Sequence, residues 1–120
     1  MPELFAPKGY RDLSPAEHAR ICNGCGTKGL GGYIVPDTLW GLEIEECCNI
    51  HDYMWSQGKT IEDKAQADRV FLNNMLRVID EGSKWLRFLR RRRAFKYYEA
   101  VAVFGGPAYW SGKDLSLIHI

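Results

Sequence analysis

From about Leu42 to Ser56, apolar and half-apolar positions recur at intervals of three and four: Ile44, Cys47, Cys48, His51 and Trp55. That spacing is one stripe of an amphipathic helix. Gly58 ends it, and Thr60-Ile61-Glu62-Asp63 provides a cap for a second helix, with Asp63 standing in for the glutamate usual in a capping box. Its stripe runs Ile61, Ala65, Asp68, Leu72, Met75 and Ile79, and Asp80-Glu81-Gly82 closes it. The short link at Gly58 predicts two antiparallel helices packed face to face. A third helix is expected from Lys84 to about Val103, stopped by Gly105-Gly106-Pro107. Upstream, Ser14-Pro15-Ala16-Glu17 reads as an N-cap, a proline at the first helical position and a capping glutamate, opening a short helix that ends near Asn23-Gly24. Residues 1–13 are expected as an extended arm, residues 23–38 as a glycine-rich loop, and residues 30–40 as the place for a short hairpin. The fold class is therefore all-α, mainly helical.

A chain of 120 residues suits one domain with one core. We assign residues 1–114 to it. The last six, Leu115-Ser116-Leu117-Ile118-His119-Ile120, fit poorly with what precedes them and are set aside as a tail foreign to the fold. The N-terminus, Met1 to Lys8, has no basic region followed by an apolar run. A cytoplasmic product, or one exported by a route without a signal peptide, is expected. No stretch approaches the ~20 apolar residues that span a bilayer.

Charge is unevenly spread. The formal net charge is +1, yet the segment Lys84–Lys96 carries seven basic residues and no acid. Aromatics are interleaved: Trp85, Phe88 and Phe95 lie among Arg87, Arg90, Arg91, Arg92 and Arg93. Such a segment suits an anionic membrane surface, and it also suits the phosphate backbones of nucleic acid. Trp85, Arg87, Arg90, Arg91, Arg92 and Arg93 are the expected membrane-binding residues.

Two residues break the apolar stripes. His51 and Asp68, seventeen residues apart, lie on facing stripes of the two long helices. A carboxylate there is costly unless paired, and a histidine opposite it is the natural partner. Such a pair fixes the imidazole tautomer and leaves its other nitrogen to act as a base. Asp52 is turned about 100° from His51 and points toward whatever covers the helix. The covering candidate is the loop Asn23-Gly24-Cys25-Gly26-Thr27-Lys28-Gly29-Leu30-Gly31-Gly32. Glycines allow its carbonyls to turn inward, and carbonyls with a carboxylate are the ligand set of a hard cation such as Ca²⁺. The four cysteines, Cys22, Cys25, Cys47 and Cys48, are compatible with disulfides, with free thiols or with metal ligation.

Three motifs occur in an order that resembles the secreted-type, calcium-dependent phospholipase A2 superfamily. Cys47-Cys48-Asn49-Ile50-His51-Asp52 resembles its Cys-Cys-x-x-His-Asp signature. Gly24-Cys25-Gly26-Thr27-Lys28-Gly29 resembles its calcium loop, and Ala67-Asp68-Arg69 its Cys-Asp-Arg on the second long helix. The resemblance spans roughly residues 22–80. It implies that His51 is the general base, that Asp68 holds the imidazole, and that Ca²⁺ is bound by the Asp52 carboxylate and the carbonyls of Gly24, Gly26 and Lys28. It further implies that the Gly26 N–H helps stabilise the oxyanion from the sn-2 ester, and that a Cys25–Cys48 disulfide ties the loop to the helix. Departures from the family are Lys28 for a loop glycine, Met54 for a cysteine, and Trp55 where a tyrosine supports the second acid. Two other functions compete. One is a zinc-binding structural module built on Cys22 and Cys25 with Cys47, Cys48 or His51. The other is a non-catalytic member of the same fold that binds membrane or nucleic acid through Lys84–Lys96.

Overall fold

The computed structural model describes residues 3–22, 38–110 and 113. In chain order, the elements are helices α1 (Lys8–Arg11) and α2 (Pro15–Ile21), strands β1 (Thr38–Leu39) and β2 (Leu42–Glu43), and helices α3 (Glu45–Gln57), α4 (Ile61–Asp80), α5 (Arg87–Phe104) and α6 (Gly106–Trp110). The protein is mainly helical, as the periodicity predicts. Both expected capping boxes form: Ser14 with Glu17 at α2, and Thr60 with Asp63 at α4. In each, the side chains satisfy two backbone N–H groups that a helix start would leave unpaired.

Four boundaries differ from the sequence reading, one being the hairpin, whose strands are Thr38–Leu39 and Leu42–Glu43 rather than lying within residues 30–40. The N-terminal arm contains one helical turn, α1. The first long helix starts at Glu45, because Leu42 and Glu43 pair with Leu39 and Thr38 in a two-stranded antiparallel hairpin. The third starts at Arg87, after a turn. The hairpin is tight because Trp40 (φ 49°) and Gly41 (φ 82°) both take positive φ, the pairing that matches strand twist in a two-residue turn. Trp40 has a Cβ and adopts this conformation at a cost, and the Arg93 guanidinium lies over its ring at 5.6 Å.

Helix α4 is the centre of the fold, between α3 and α5. Across α3 and α4, His51 meets Asp68 while Trp55 meets Lys64. Moving up one helix moves down the other, so the two are antiparallel as expected. The same holds for α4 and α5, where Lys64 meets Val101 and Asp80 meets Arg91. Packing on two sides rotates the buried stripe of α4 from the sequence reading. Ile61 is exposed, and Lys64, Ala67, Asp68, Phe71, Asn74, Met75, Val78 and Ile79 are buried. Buried apolar residues from the arm, the hairpin and α3 to α6 join in one cluster. Asn74, fully buried, accepts from the Phe5 N–H and donates to the Phe5 carbonyl, both at 2.9 Å, which fastens the arm to α4. The tail, residues 115–120, lies outside the described residues.

Candidate functional site

The stripe of α3 is buried as expected: Ile44, Cys47, Cys48, His51 and Trp55 all face inward. Thirteen and seventeen residues separate Asp68 from Trp55 and His51 in sequence, yet all three meet. His51 Nε2 and Asp68 Oδ1 are 2.7 Å apart. An ionised carboxylate only accepts, so Nε2 carries the proton and donates. Nδ1, on the other side of the imidazole, takes no part in this pair. The Trp55 indole N–H donates to the same Asp68 oxygen at 2.9 Å, so Oδ1 accepts from both side chains. The imidazole is held between rings, with centroids 4.5 Å from Trp55 and 4.7 Å from Phe71.

Lys64 was missed by the sequence reading. Its ammonium donates to Asp68 Oδ2 at 2.7 Å, to the Val101 carbonyl at 2.8 Å and to the Ala102 carbonyl at 3.3 Å. The signal was available: Lys64 lies four residues before Asp68, one helical turn away on the same face. Arg69, next to Asp68 in sequence, points to solvent. The Val101 and Ala102 carbonyls belong to the last turn of α5, where helix carbonyls carry partial negative charge; the Val101 carbonyl also accepts from the capping Gly105 N–H at 3.1 Å. Lys64 therefore ties Asp68 to the end of α5. Behind it, Gly105 admits the Trp55 ring: a Cβ there would stand 2.6 Å from Trp55 Cη2 and would also meet the Val101 carbonyl.

The electrostatics follow from this geometry. Burial alone would raise the Asp68 pKa, but the hydrogen bonds and charges of His51 and Lys64 outweigh it and hold the carboxyl below its ordinary value. His51 is pushed down by burial; Asp68 opposes this, and the Lys64 charge adds to it. The imidazole is thus neutral at neutral pH, the form a base requires.

Asp52 follows His51 on α3 and is half-buried. It lies close enough to Cys22 that its charge, after burial as the larger cause, helps push the Cys22 thiol up to about 11. Cys22 leads directly into residues 23–37, so Asp52 acts electrostatically on the residue from which the glycine-rich segment continues. Gly24, Cys25, Gly26 and Lys28, the remaining expected metal, oxyanion and disulfide residues, lie outside the described residues. Asp52 is a hard oxygen donor and fits calcium by its chemistry. Among the described residues, no three or more His, Cys, Asp or Glu side chains gather as a metal-binding group. Cys22 and Cys47 are free thiols, whereas Cys48 is disulfide-bonded. Burial pushes the Cys47 thiol up to about 12, so it is an inert core side chain rather than a nucleophile.

The basic segment divides. Arg90 is buried, and its guanidinium donates to the Leu39 carbonyl at 3.1 Å and the Trp40 carbonyl at 2.9 Å. It is a strut for the hairpin, and the expectation that it meets a membrane is corrected on that ground. Arg87 is half-buried and donates to the Asp80 carbonyl at 3.2 Å, so it too serves the fold. Trp85, Arg91, Arg92 and Arg93 are exposed as expected. No helix among the described residues is long and apolar enough to cross a membrane. Compared with family models, curated proteins and solved structures, the chain matches none.

Proposed function

We propose that this protein is a phospholipase A2-like carboxylic ester hydrolase that cleaves the sn-2 ester of glycerophospholipids with His51 as general base. The buried His51–Asp68 pair carries the reading. A neutral imidazole with Nε2 committed to a carboxylate has Nδ1 as the atom that accepts a proton. In the reaction, His51 Nδ1 takes a proton from water, and the water oxygen attacks the ester carbonyl carbon. As the tetrahedral adduct collapses, the carbon–oxygen bond to glycerol breaks. The leaving alkoxide takes the proton from His51, giving a fatty acid and a lysophospholipid. Asp68, fixed by Trp55 and Lys64, orients the imidazole and stabilises the imidazolium while it exists.

Asp52 and the carbonyls of Gly24, Gly26 and Lys28 would hold Ca²⁺, and bound there the ion would supply positive charge to a developing oxyanion. The Gly26 N–H would donate to the same oxyanion, and a Cys25–Cys48 disulfide would fix the loop on α3. The resemblance in three ordered motifs and the position of Asp52 beside Cys22 support this arrangement.

The test is fatty-acid release from phosphatidylglycerol and phosphatidylcholine vesicles labelled at sn-2, with millimolar Ca²⁺ and again with chelator. Release that requires Ca²⁺ is expected. No release from either lipid by folded protein would overturn the proposal and return attention to the zinc-module and non-catalytic readings.

A further inference from the structure

Helix α5 turns one face to solvent that its own fold does not explain. Phe88 is 72% exposed and Phe95 52%, and Trp85, in the turn before the helix, is 94% exposed, values unusual for side chains of this size. Phe88, Arg91, Arg92, Phe95, Lys96 and Glu99 recur at spacings of three and four and line one groove of about 520 Å³. A second groove of about 250 Å³ shares Arg92 and Lys96 and extends to Trp40, Leu89 and Arg93. The two grooves make one surface running from the helix to the hairpin tip. At that tip, Trp40 is 49% exposed, held out by a turn that a residue with a side chain rarely adopts. Arg91 donates to Asp80 at 2.8 Å, so part of its charge is neutralised within the fold. Arg92 and Lys96 project between the exposed rings.

We propose that the outward face of α5 and the Trp40 hairpin tip form the surface by which this protein docks on an anionic lipid bilayer. Charge complementarity calls for phosphate-bearing partners, and the aromatics decide which. At a bilayer, Phe88, Phe95 and Trp40 leave water for the headgroup and upper acyl region while Arg92 and Lys96 meet lipid phosphates. A nucleic-acid duplex would use the cations and leave the phenylalanine rings in water. The contact is peripheral, since α5 is not a spanning helix. This extends the phospholipase reading by naming a partner, the lipid surface, and rests on that reading only for the consequence of docking. The docking itself is measured without turnover.

The experiment is sedimentation of the protein with sucrose-loaded vesicles in chelator, so that the result does not depend on hydrolysis. Vesicles of equal parts phosphatidylglycerol and phosphatidylcholine are compared with phosphatidylcholine alone. Binding at least roughly tenfold stronger to the anionic vesicles is expected. Arg92→Gln with Lys96→Gln should weaken it about 25-fold, roughly fivefold for each basic side chain removed. Phe88→Ala with Phe95→Ala should abolish the binding that survives in high salt. All four side chains are exposed, and circular dichroism will verify that the variants fold. Equal binding to the two vesicle types, or folded variants that bind as the parent does, would overturn the proposal. So would displacement from anionic vesicles by a single-stranded oligonucleotide in a Phe88- and Phe95-dependent manner, which would reassign the surface to nucleic acid.

Discussion

Replacing Lys64 with methionine tests the site at the point where fold and chemistry meet. Methionine keeps the length and apolar stem of the side chain but removes the ammonium. Three contacts vanish: 2.7 Å to Asp68, 2.8 Å to Val101 and 3.3 Å to Ala102. Breaking a buried ion pair by removing one partner costs about 3–5 kcal/mol, chiefly because the other charge is left uncompensated. Asp68 would still accept from His51 and Trp55, which places the expected loss near the lower end, at about 3 kcal/mol. For a domain of this size that is a fall in Tm of roughly 12 °C. Urea unfolding gives the free energy directly, and a cycle with Asp68→Asn separates the pair from everything else Lys64 touches. Residues sharing a buried network couple by about 0.5–3 kcal/mol, so the double variant should be less destabilised than the sum of the single ones. A catalytic readout accompanies the structural one. Without the nearby ammonium, the downward push on His51 weakens, and the acidic limb of the kcat/KM profile should move to higher pH. Additive single and double variants, a loss below about 0.5 kcal/mol and an unmoved acidic limb would together refute the coupling argued from this geometry.

Four further outcomes are expected. His51→Gln should retain the circular dichroism spectrum and calcium affinity yet lose about 10²- to 10⁴-fold in turnover, the usual share of a general base; retained activity would remove His51 from that role. Asp52→Asn should weaken calcium binding sharply in a calorimetric titration, and an unchanged affinity would place the metal elsewhere. Stability in chelator should fall in two stages on acidification. His51 has its folded-state pKa pushed below the ordinary 6.5, so the unfolded chain binds its proton first and stability drops as pH falls below that value. Asp68, held below the ordinary 3.8, adds a second loss at lower pH, and both contributions are complete above about pH 7. Urea midpoints that stay flat between neutral pH and about pH 5 would contradict the first stage. Gly105→Ala should cost about 1–3 kcal/mol by overpacking and should lower turnover as well, because the ring it displaces is Trp55; thermal melts and sn-2 release measured on the same variant would expose a purely structural effect.

The His51–Asp68 pair was legible in the sequence for a specific reason. Each residue violates an apolar stripe, and two violations on helices joined by a short link at Gly58 can relieve one another only by meeting. Trp55 was legible through its place in the same stripe. Lys64 was not, because lysine on a helix ordinarily reads as a solvated residue; what buries it is α5, whose C-terminal carbonyls come from residues 37 and 38 positions away. The same remoteness explains Arg90. Within a run of four arginines nothing local distinguishes one from another, and only the hairpin carbonyls of Leu39 and Trp40, some fifty residues earlier, select which side chain turns inward. The stripe of α4 was misplaced by the same cause: a pattern read for one packing partner cannot anticipate two. Residues that answer a local conflict are therefore readable from periodicity, whereas residues recruited by distant backbone carbonyls are not. Lys64 belongs to the second kind while serving the first, so the fixed position of Asp68 depends on α5 closing over α4 as well as on α3 facing it.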